Sequence, residues 1–185
     1  MKKIVVLASG EGSNFSAIVK SGIKVDMLIT DNKNANVIKR AEKVGVPVFV
    51  FDRKEGDRKY GHGWSDGKIG ETIPEDVSLI VLAGYMRIIP PIYVKKWINK
   101  IINIHPSLLP AFGGGCHAIK DTWEYGCKVF GVTVHWVDEG VDTGPIIAQK
   151  SIYKLDSDTL ELITDKIRKV EHNLYPKTIK ELISR

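Results

Sequence analysis

An amide and an imidazole lie two residues apart in the segment NIHPSLLP, at Asn103 and His105. The apolar run KIINI, which contains Asn103, predicts a β-strand, and residues two apart in a strand point to the same face. Asparagine is disfavoured in strands, and a histidine at a strand end is not needed for packing. The pair therefore indicates chemistry at the point where a strand gives way to a proline-bounded loop.

A carboxylate that suits this pair is Asp142, in the loop DEGVDTGP between two predicted strands. A carboxylate beside an imidazole favours the charged ring and fixes its orientation. Asn103, His105 and Asp142 would then offer an amide donor, an acid and a charge partner. That set suits a reaction in which negative charge develops on a carbonyl oxygen. The alternative is that the carboxylates of this loop, Asp142 among them, are turn residues beside glycine.

A third candidate is the turn SGEGSN, between the first predicted strand and a helix. Gly10 and Gly12 let the backbone approach an anion closely, and Ser13 with the N–H groups of the helix start can hold a phosphate. The turn lacks the G-K-[ST] ending of a Walker loop, and Phe15 replaces the third glycine of a dinucleotide fingerprint. The alternative is a tight strand–helix turn capped by Ser13 or Asn14.

Two further segments have unusual composition. Arg87, in GYMRII, lies just past a buried strand, where a cation suits an anionic or heteroaromatic ligand; the alternative is a solvated arginine. The span Gly56–Gly70, GDRKYGHGWSDGKIG, has the composition of a long loop. Such a span inside a compact domain is typical of a functional or mobile segment.

The 185-residue chain is 43% hydrophobic and 26% charged, which indicates one globular domain over residues 1–185. No apolar run reaches the ~20 residues of a membrane span, and the N-terminal apolar stretch is too short for a signal peptide. We therefore expect a cytoplasmic protein that does not bind membranes. The basic residues behind the net charge of +5 are scattered, so small anionic substrates are favoured over nucleic acid.

The cysteines and histidines do not indicate a metal site. Cys116 and Cys127 form no Cys-x-x-Cys pair, and with His117 and His135 they match no usual zinc spacing. His135 lies inside an alternating strand, which is typical of a structural residue. We expect no metal.

Apolar strands that alternate with helices predict an α/β fold. We expect a Rossmann-like layered sheet, mostly parallel in the N-terminal half, with antiparallel strands near the C-terminus and helices on both faces. The predicted strands are Lys2–Ala8, Val25–Thr30, Val46–Phe51, Val77–Gly84, KIINI, Val129–Val137 and Ile146–Tyr153. The predicted helices are Phe15–Lys20, Ala35–Val44, Pro91–Trp97, Ala118–Tyr125 and a last helix capped by Asp158. Ligands bind beyond the carboxyl ends of such strands, where the candidate segments lie.

Together these segments resemble the folate-dependent formyltransferase family over almost the whole chain. The resemblance is carried, in order, by SGEGSN, VLAGYMRI, NIHPSLLP, GVTVHWVDEGVDTGPIIAQ and VEHNLYP. NIHPSLLP with the Asp142 loop is typical of the whole superfamily, and GEGSN is typical of its glycinamide ribonucleotide branch.

The resemblance implies that the amine of glycinamide ribonucleotide attacks the formyl carbon of 10-formyltetrahydrofolate, in purine biosynthesis. It implies that His105 and Asn103 donate to the oxyanion. Asp142 would keep the imidazole charged and help move the proton of the amine through water. Small molecules would be the partners of a monomer or homodimer.

The resemblance also implies two binding sets. Residues implied to hold the nucleotide are Gly10, Glu11, Gly12, Ser13, Asn14, Arg58 and Glu171. Residues implied to hold the folate are Met86, Arg87, Ile88, Ile89, Asn103, Val137, Asp138 and Asp142. The chain departs from the family in AFGGGCHA, where Gly113 replaces a proline and one extra residue precedes His117. It also departs at Gly56–Gly70, which stands in place of a helical stretch.

Other functions fit parts of this pattern. A formyltetrahydrofolate deformylase would carry an N-terminal regulatory domain and a methionyl-tRNA formyltransferase a C-terminal tRNA-binding domain, and the chain is expected to have room for neither. A nucleotide-linked oxidoreductase is favoured by GEGSN and by Asp31, at the position of a ribose-binding acid, and opposed by Phe15. A non-catalytic folate-binding protein is opposed by the presence of Asn103, His105 and Asp142.

Overall fold

The computed structural model describes residues 2–61 and 63–184. In these residues the strands are β1 (Ile4–Leu7), β2 (Met27–Thr30), β3 (Val48–Val50), β4 (Leu79–Leu82), β5 (Ile101–His105), β6 (Val129–Trp136) and β7 (Ile146–Tyr153). The helices are α1 (Ser13–Lys20), α2 (Val37–Lys43), α3 (Arg53–Tyr60), α4 (Trp64–Thr72), α5 (Pro91–Lys96), α6 (Ala118–Glu124) and α7 (Leu160–Ile183). None of these helices is long and apolar enough to cross a membrane.

The strand order in the sheet is β3-β2-β1-β4-β5-β6-β7. Parallel pairs join β1 to β2, β1 to β4 and β2 to β3, and an antiparallel pair joins β6 to β7. The predicted fold class, a mostly parallel α/β sheet with antiparallel strands near the C-terminus, is confirmed. The chain divides into two compact units, Met1–Ile102 and Asn103–Arg185, and a single domain over residues 1–185 stays a prediction.

The first unit is built on strands that are unbroken apolar runs. Every residue of β1 and β4 is buried, because structure covers both faces of a parallel sheet. Leu7, the last residue of β1, is paired with Ile29 of β2 and Leu82 of β4. The carboxyl ends of these three strands therefore lie side by side, and the segments that follow them share one edge of the sheet.

The second unit contains the β6–β7 hairpin and the long helix α7. Val129 lies opposite Tyr153 and Val134 opposite Ala148, with a register shift between Val134 and His135. The helix packs against both strands of the hairpin. This packing fixes the end of β6, from which the Asp142 loop departs.

The prediction of a loop over Gly56–Gly70 is wrong, because α3 and α4 occupy most of this span; His62 lies outside the described residues. The start of α3 is capped by Asp52, whose carboxylate accepts a hydrogen bond from the N–H of Glu55 at 2.9 Å. Because the cap at Asp52 lies before the glycine-rich span, the composition of the span alone does not reveal the helix. The glycines at 61 and 63 have positive φ and separate the two helices.

Observed and predicted ends of the other elements agree within two residues. The cap of the last helix is corrected from Asp158 to Thr159, whose side chain accepts from the N–H of Leu162. Asp158 is buried, and its carboxylate instead accepts from Lys166 Nζ at 2.6 Å and from the N–H of Leu155. A buried charge requires such a partner, so the ion pair takes the place of the cap.

Two glycines of α4 provide a matched test of how α4 packs against α5. A Cβ on Gly70 would overlap the ring of Tyr93, which stacks on Trp97 with centroids 5.5 Å apart, whereas a Cβ on Gly67 meets no atom within 4 Å. We expect Gly70→Ala to lower the free energy of unfolding by about 1–3 kcal/mol through overpacking. Gly67→Ala should raise it by about 0.5–1 kcal/mol through helix propensity. Urea denaturation of both variants checks this, and equal effects would contradict the contact.

Candidate active site

Four side chains of the second unit converge at the end of β5. Asp142 Oδ2 lies 3.4 Å from Nδ1 of His105, and Asp142 Oδ1 lies 3.6 Å from Nε2 of His135. The amide Nδ2 of Asn103 lies 3.3 Å from His135 Nε2 and 3.5 Å from Asp142 Oδ1. The structure thus brings together the three residues that the sequence singled out and adds a second imidazole.

The hairpin loop places Asp142 through its backbone. Asp142 has a φ of 56°, in the left-handed region that aspartate and asparagine tolerate better than most residues. The N–H of Trp136 donates to the carbonyl of Pro145 at 2.9 Å and closes the loop. The carboxylate of Asp138 accepts from Thr143 Oγ1 and from the N–H of Gly140, so it stabilises the turn. The turn-residue alternative therefore applies to Asp138 and not to Asp142.

A second loop, residues 112–114, holds Asp142 and His105 through main-chain groups. The N–H of Gly114 donates to Asp142 Oδ2 at 3.0 Å, and Nε2 of His105 lies 3.1 Å from the carbonyl of Phe112. A carbonyl only accepts, so Nε2 carries a proton. A charged ring satisfies both contacts of His105, because Nδ1–H then faces the carboxylate. This loop contains the departure at Gly113, while His117 is exposed at the start of α6.

His135 is the residue that sequence reasoning missed. Its side chain is 2% exposed, and Nδ1 lies 2.9 Å from the carbonyl of Trp136, so Nδ1 carries a proton. Nε2 faces Asp142 Oδ1 at 3.6 Å, so a proton on this atom is the one that the carboxylate accepts. The interpretation of His135 as a structural residue is incomplete, because its partners are the candidate catalytic groups. The available signal was Thr133, a second polar residue on the same face of β6.

The surroundings of Asp142 keep it ionised. The hydrogen bond with His135, the N–H of Gly114 and the charge of His105 hold the pKa of Asp142 at about 2, although burial opposes this shift. At neutral pH the carboxylate is therefore an acceptor only and orients both rings.

In the first unit, the glycine loop (Gly10–Asn14) leads into α1. The N-cap is Gly12 with a φ of 72°, and a Cβ there would overlap the side chain of Val37. The N-cap position belongs to Gly12, which makes no side-chain cap, so the alternative that Ser13 or Asn14 is the cap residue is wrong. The second helix supports the loop, since Val37 N–H donates to Gly10 O at 3.0 Å and Asn36 Nδ2 to Glu11 at 2.7 Å. An uncapped helix start directs N–H groups toward a ligand.

The Met86 segment (Met86–Ile89) follows β4 in the same unit. The guanidinium of Arg87 donates to Ser65 Oγ and to Asp66 Oδ2, both at 2.6 Å. The alternative of a solvated arginine is therefore wrong, and the side chain of Arg87 already has partners on α4. Met86 and Ile88 are 64% and 67% exposed, so the segment leaves apolar side chains uncovered.

The remaining predicted residues lie on or beside other elements. Arg58 lies in the last turn of α3 and lines a polar cleft of about 540 Å³ with Ser9, Asp31 and Lys54. Val137 follows β6, and Glu171 lies on α7 in the second unit. Among the described residues, no group of three His, Cys, Asp or Glu side chains is arranged to hold a metal ion.

Comparison with known proteins gives consistent matches. Residues 2–179 match the formyl transferase family. The phosphoribosylglycinamide formyltransferase of Bacillus subtilis is 47% identical over 99% of this chain and 95% of its own length. The trifunctional purine biosynthetic protein adenosine-3 of Gallus gallus is 37% identical over 98% of this chain, which spans 18% of that protein. The crystal structure of phosphoribosylglycinamide formyltransferase from Bacillus halodurans is 41% identical, with a TM-score of 0.91 over 100% of this chain and 96% of that one.

The depressed pKa of Asp142 makes stability depend on pH. The ionised carboxylate stabilises the folded state above its unfolded pKa, and this contribution is lost as pH falls from about 3.8 through about 2. Across this window we expect the free energy of unfolding to fall by about 2 kcal/mol more in the native chain than in Asp142→Asn. Asparagine tolerates the same left-handed backbone, so the comparison isolates the charge. Urea denaturation at pH 5, 3 and 2 measures it, and parallel pH profiles would contradict the pairing.

Proposed function

Because the chain belongs to the formyl transferase family, we propose that it transfers a formyl group from 10-formyltetrahydrofolate to the amine of glycinamide ribonucleotide in purine biosynthesis. The Bacillus subtilis relative, which matches over nearly the full length of both chains, supports this choice of acceptor. The observation that carries the mechanism is the convergence of His105 and Asn103 on the ionised Asp142.

The reaction needs donors where the oxyanion forms. The amine lone pair forms a bond to the formyl carbon, and the carbonyl π electrons move to oxygen. Nδ1 of His105 faces Asp142, so the N–H on Nε2 is the one directed elsewhere. We assign this N–H to the oxyanion. The oxyanion is a stronger acceptor than the Phe112 carbonyl, so the N–H leaves the carbonyl when the oxyanion forms. Losing one such donor typically costs roughly 10²–10³ in turnover.

Asn103 supplies the second donor. One of its two N–H groups faces Nε2 of His135, which lies 3.3 Å from the amide nitrogen. The contact with Asp142 at 3.5 Å is at the limit of hydrogen bonding, so the other N–H can turn to the oxyanion at little cost.

Asp142 acts as a charge partner and, through water, as a proton shuttle. When the tetrahedral intermediate collapses, the bond from the formyl carbon to the folate nitrogen breaks. The proton lost by the amine reaches that nitrogen. A carboxylate with a pKa of about 2 holds a proton only briefly, so its lasting effect is to orient the two rings.

The substrates have separate binding segments. We assign the phosphate of the nucleotide to the glycine loop with Arg58, and the ribose to Glu171. The pterin is assigned to the Met86 segment and to Val137–Asp142. Arg87 contributes through its backbone, since its guanidinium is paired with Ser65 and Asp66. A cytoplasmic location, a monomer or homodimer and the absence of a metal stay predictions.

The catalytic assignment is tested with a formyl-transfer assay that offers glycinamide ribonucleotide, water and methionyl-tRNA as acceptors. Product from the nucleotide alone is expected. Asp142→Asn should lower turnover by ~10²–10⁴-fold. His105→Ala with Asp142→Asn should lose about as much as the worse single variant, because the two residues act as a unit.

Asp26→Asn is the matched control for charge removal. Asp26 also accepts a backbone N–H, from Ile4 at 2.8 Å, at the amino end of β1. The Asp26→Asn variant should retain native turnover. Near-native turnover in Asp142→Asn, or losses that multiply, would overturn the assignment.

The phosphate assignment is tested by Ser13→Asp, which adds a negative charge at the start of α1. The change does not oppose the helix, because an acidic residue is favourable at a helix N-terminus. Repulsion of the phosphate should raise the nucleotide KM roughly tenfold or more. The folate KM should change much less.

Ser16→Asp adds the same charge one turn later, where Arg40 already donates to the Ser16 hydroxyl at 3.3 Å. This control should leave both KM values near native. Equal shifts in both KM values of Ser13→Asp would count against the assignment.

A further inference from the structure

We propose that Ser9 is a positioning residue that fixes the Met86 segment relative to the glycine loop. The proposal rests on the proposed function, which assigns the first to the folate and the second to the nucleotide. Ser9 lies two residues after β1 and directly before Gly10, so it begins the path into the glycine loop.

The hydroxyl of Ser9 makes two hydrogen bonds whose directions are fixed. It donates to Asp31 Oδ1 at 2.6 Å, and it accepts from the N–H of Met86 at 3.0 Å. A hydroxyl has one proton, and an ionised carboxylate only accepts. The proton therefore points to Asp31, and a lone pair of the oxygen faces Met86.

These two bonds reinforce each other. A hydroxyl that donates to a carboxylate becomes a better acceptor, because hydrogen bonds in a chain polarise one another. Ser9 is 9% exposed, so water competes little for either bond. The N–H of Met86 is thereby used inside the protein and does not contact a ligand directly.

The main chain of Ser9 binds the segments that follow the same two strands, β4 and β2. Its N–H donates to the carbonyl of Gly84 at 3.0 Å, and its carbonyl accepts from Asn32 Nδ2 at 3.1 Å. Gly84 follows β4, as Met86 does, and Asn32 follows β2, as Asp31 does. Ser9 thus joins the ends of three adjacent strands at the sheet edge where both segments begin.

The Met86 segment is held from its other side by α4. The adjacent Arg87 donates to Ser65 and Asp66 through two short bonds. The segment is therefore anchored at consecutive residues, by the main chain of Met86 and by the side chain of Arg87. This use of Asp31 also differs from the ribose-binding role that an oxidoreductase would give it.

Ser9→Ala removes both bonds of the hydroxyl and leaves the reacting groups unchanged. A misplaced Met86 segment should weaken folate binding in the ground state and the transition state alike. We expect the folate KM to rise ~10-fold with kcat within about threefold of native, because uniform binding is lost. Ser9→Thr, which keeps the hydroxyl, should restore most of the folate KM.

Ser78→Ala is the matched control. Ser78 Oγ accepts the N–H of Lys3 at 3.1 Å, so it makes the same kind of bond at the opposite end of β1. It should lower stability in urea without changing the folate KM. A folate effect shared by both serine variants would show a merely structural role and overturn the proposal.

Asp31→Asn provides a second route if Ser9→Ala does not fold. The amide can still accept from Ser9 but removes the charge that strengthens the bond, so an intermediate rise in the folate KM is expected. This proposal alone is overturned if the native chain is active but the folate KM of Ser9→Ala equals the native value. If Ser9→Ala does not fold, an unchanged folate KM in Asp31→Asn overturns it. A native chain that forms no formylated nucleotide overturns the proposed function, and this assignment with it.

Discussion

An ionised carboxylate that is largely enclosed must be surrounded by donors, and the candidate site depends on meeting this requirement at Asp142. Its side chain is 12% exposed, and its donors come from β5, from β6 and from the loop 112–114. Each of these elements is therefore fixed relative to the same charge. In return the carboxylate fixes the orientation of the two rings and the amide. The geometry of the candidate site and the stability of the second unit thus share one origin.

The first unit uses a related arrangement for a different purpose. Asp31 also follows a strand, and its carboxylate accepts from the Ser9 hydroxyl in place of an imidazole. Asp66 similarly accepts from Arg87. In each pair, a charge that the sequence suggested for a ligand, Asp31 or Arg87, is used inside the protein. The charges near a site therefore divide into those that build it and those that face the substrate.

The sequence predicted those features that depend on local pattern. Apolar runs located the seven strands, and period-two spacing placed Asn103 and His105 on one face. It did not predict α3 and α4, because their glycines resemble loop composition while the cap at Asp52 and the packing of Tyr93 on Gly70 lie elsewhere in the chain. It also did not predict the contacts of His135 with Asn103 and Asp142, because these depend on neighbours that the hairpin brings to a histidine inside an alternating strand.

The loop 112–114 serves the site through its peptide groups: the Gly114 N–H reaches Asp142, and the Phe112 carbonyl meets His105. Both contacts belong to the main chain, so a substitution acts on them only where it shifts the backbone. Gly114 has a φ of 78°, and a Cβ on Gly113 would meet the Leu109 side chain at 3.0 Å, so both positions favour glycine. Only changes that redirect the main chain, or a proline that deletes the N–H, would be transmitted to the carboxylate. The glycine-rich stretch beside the site is in this way one of its geometric supports.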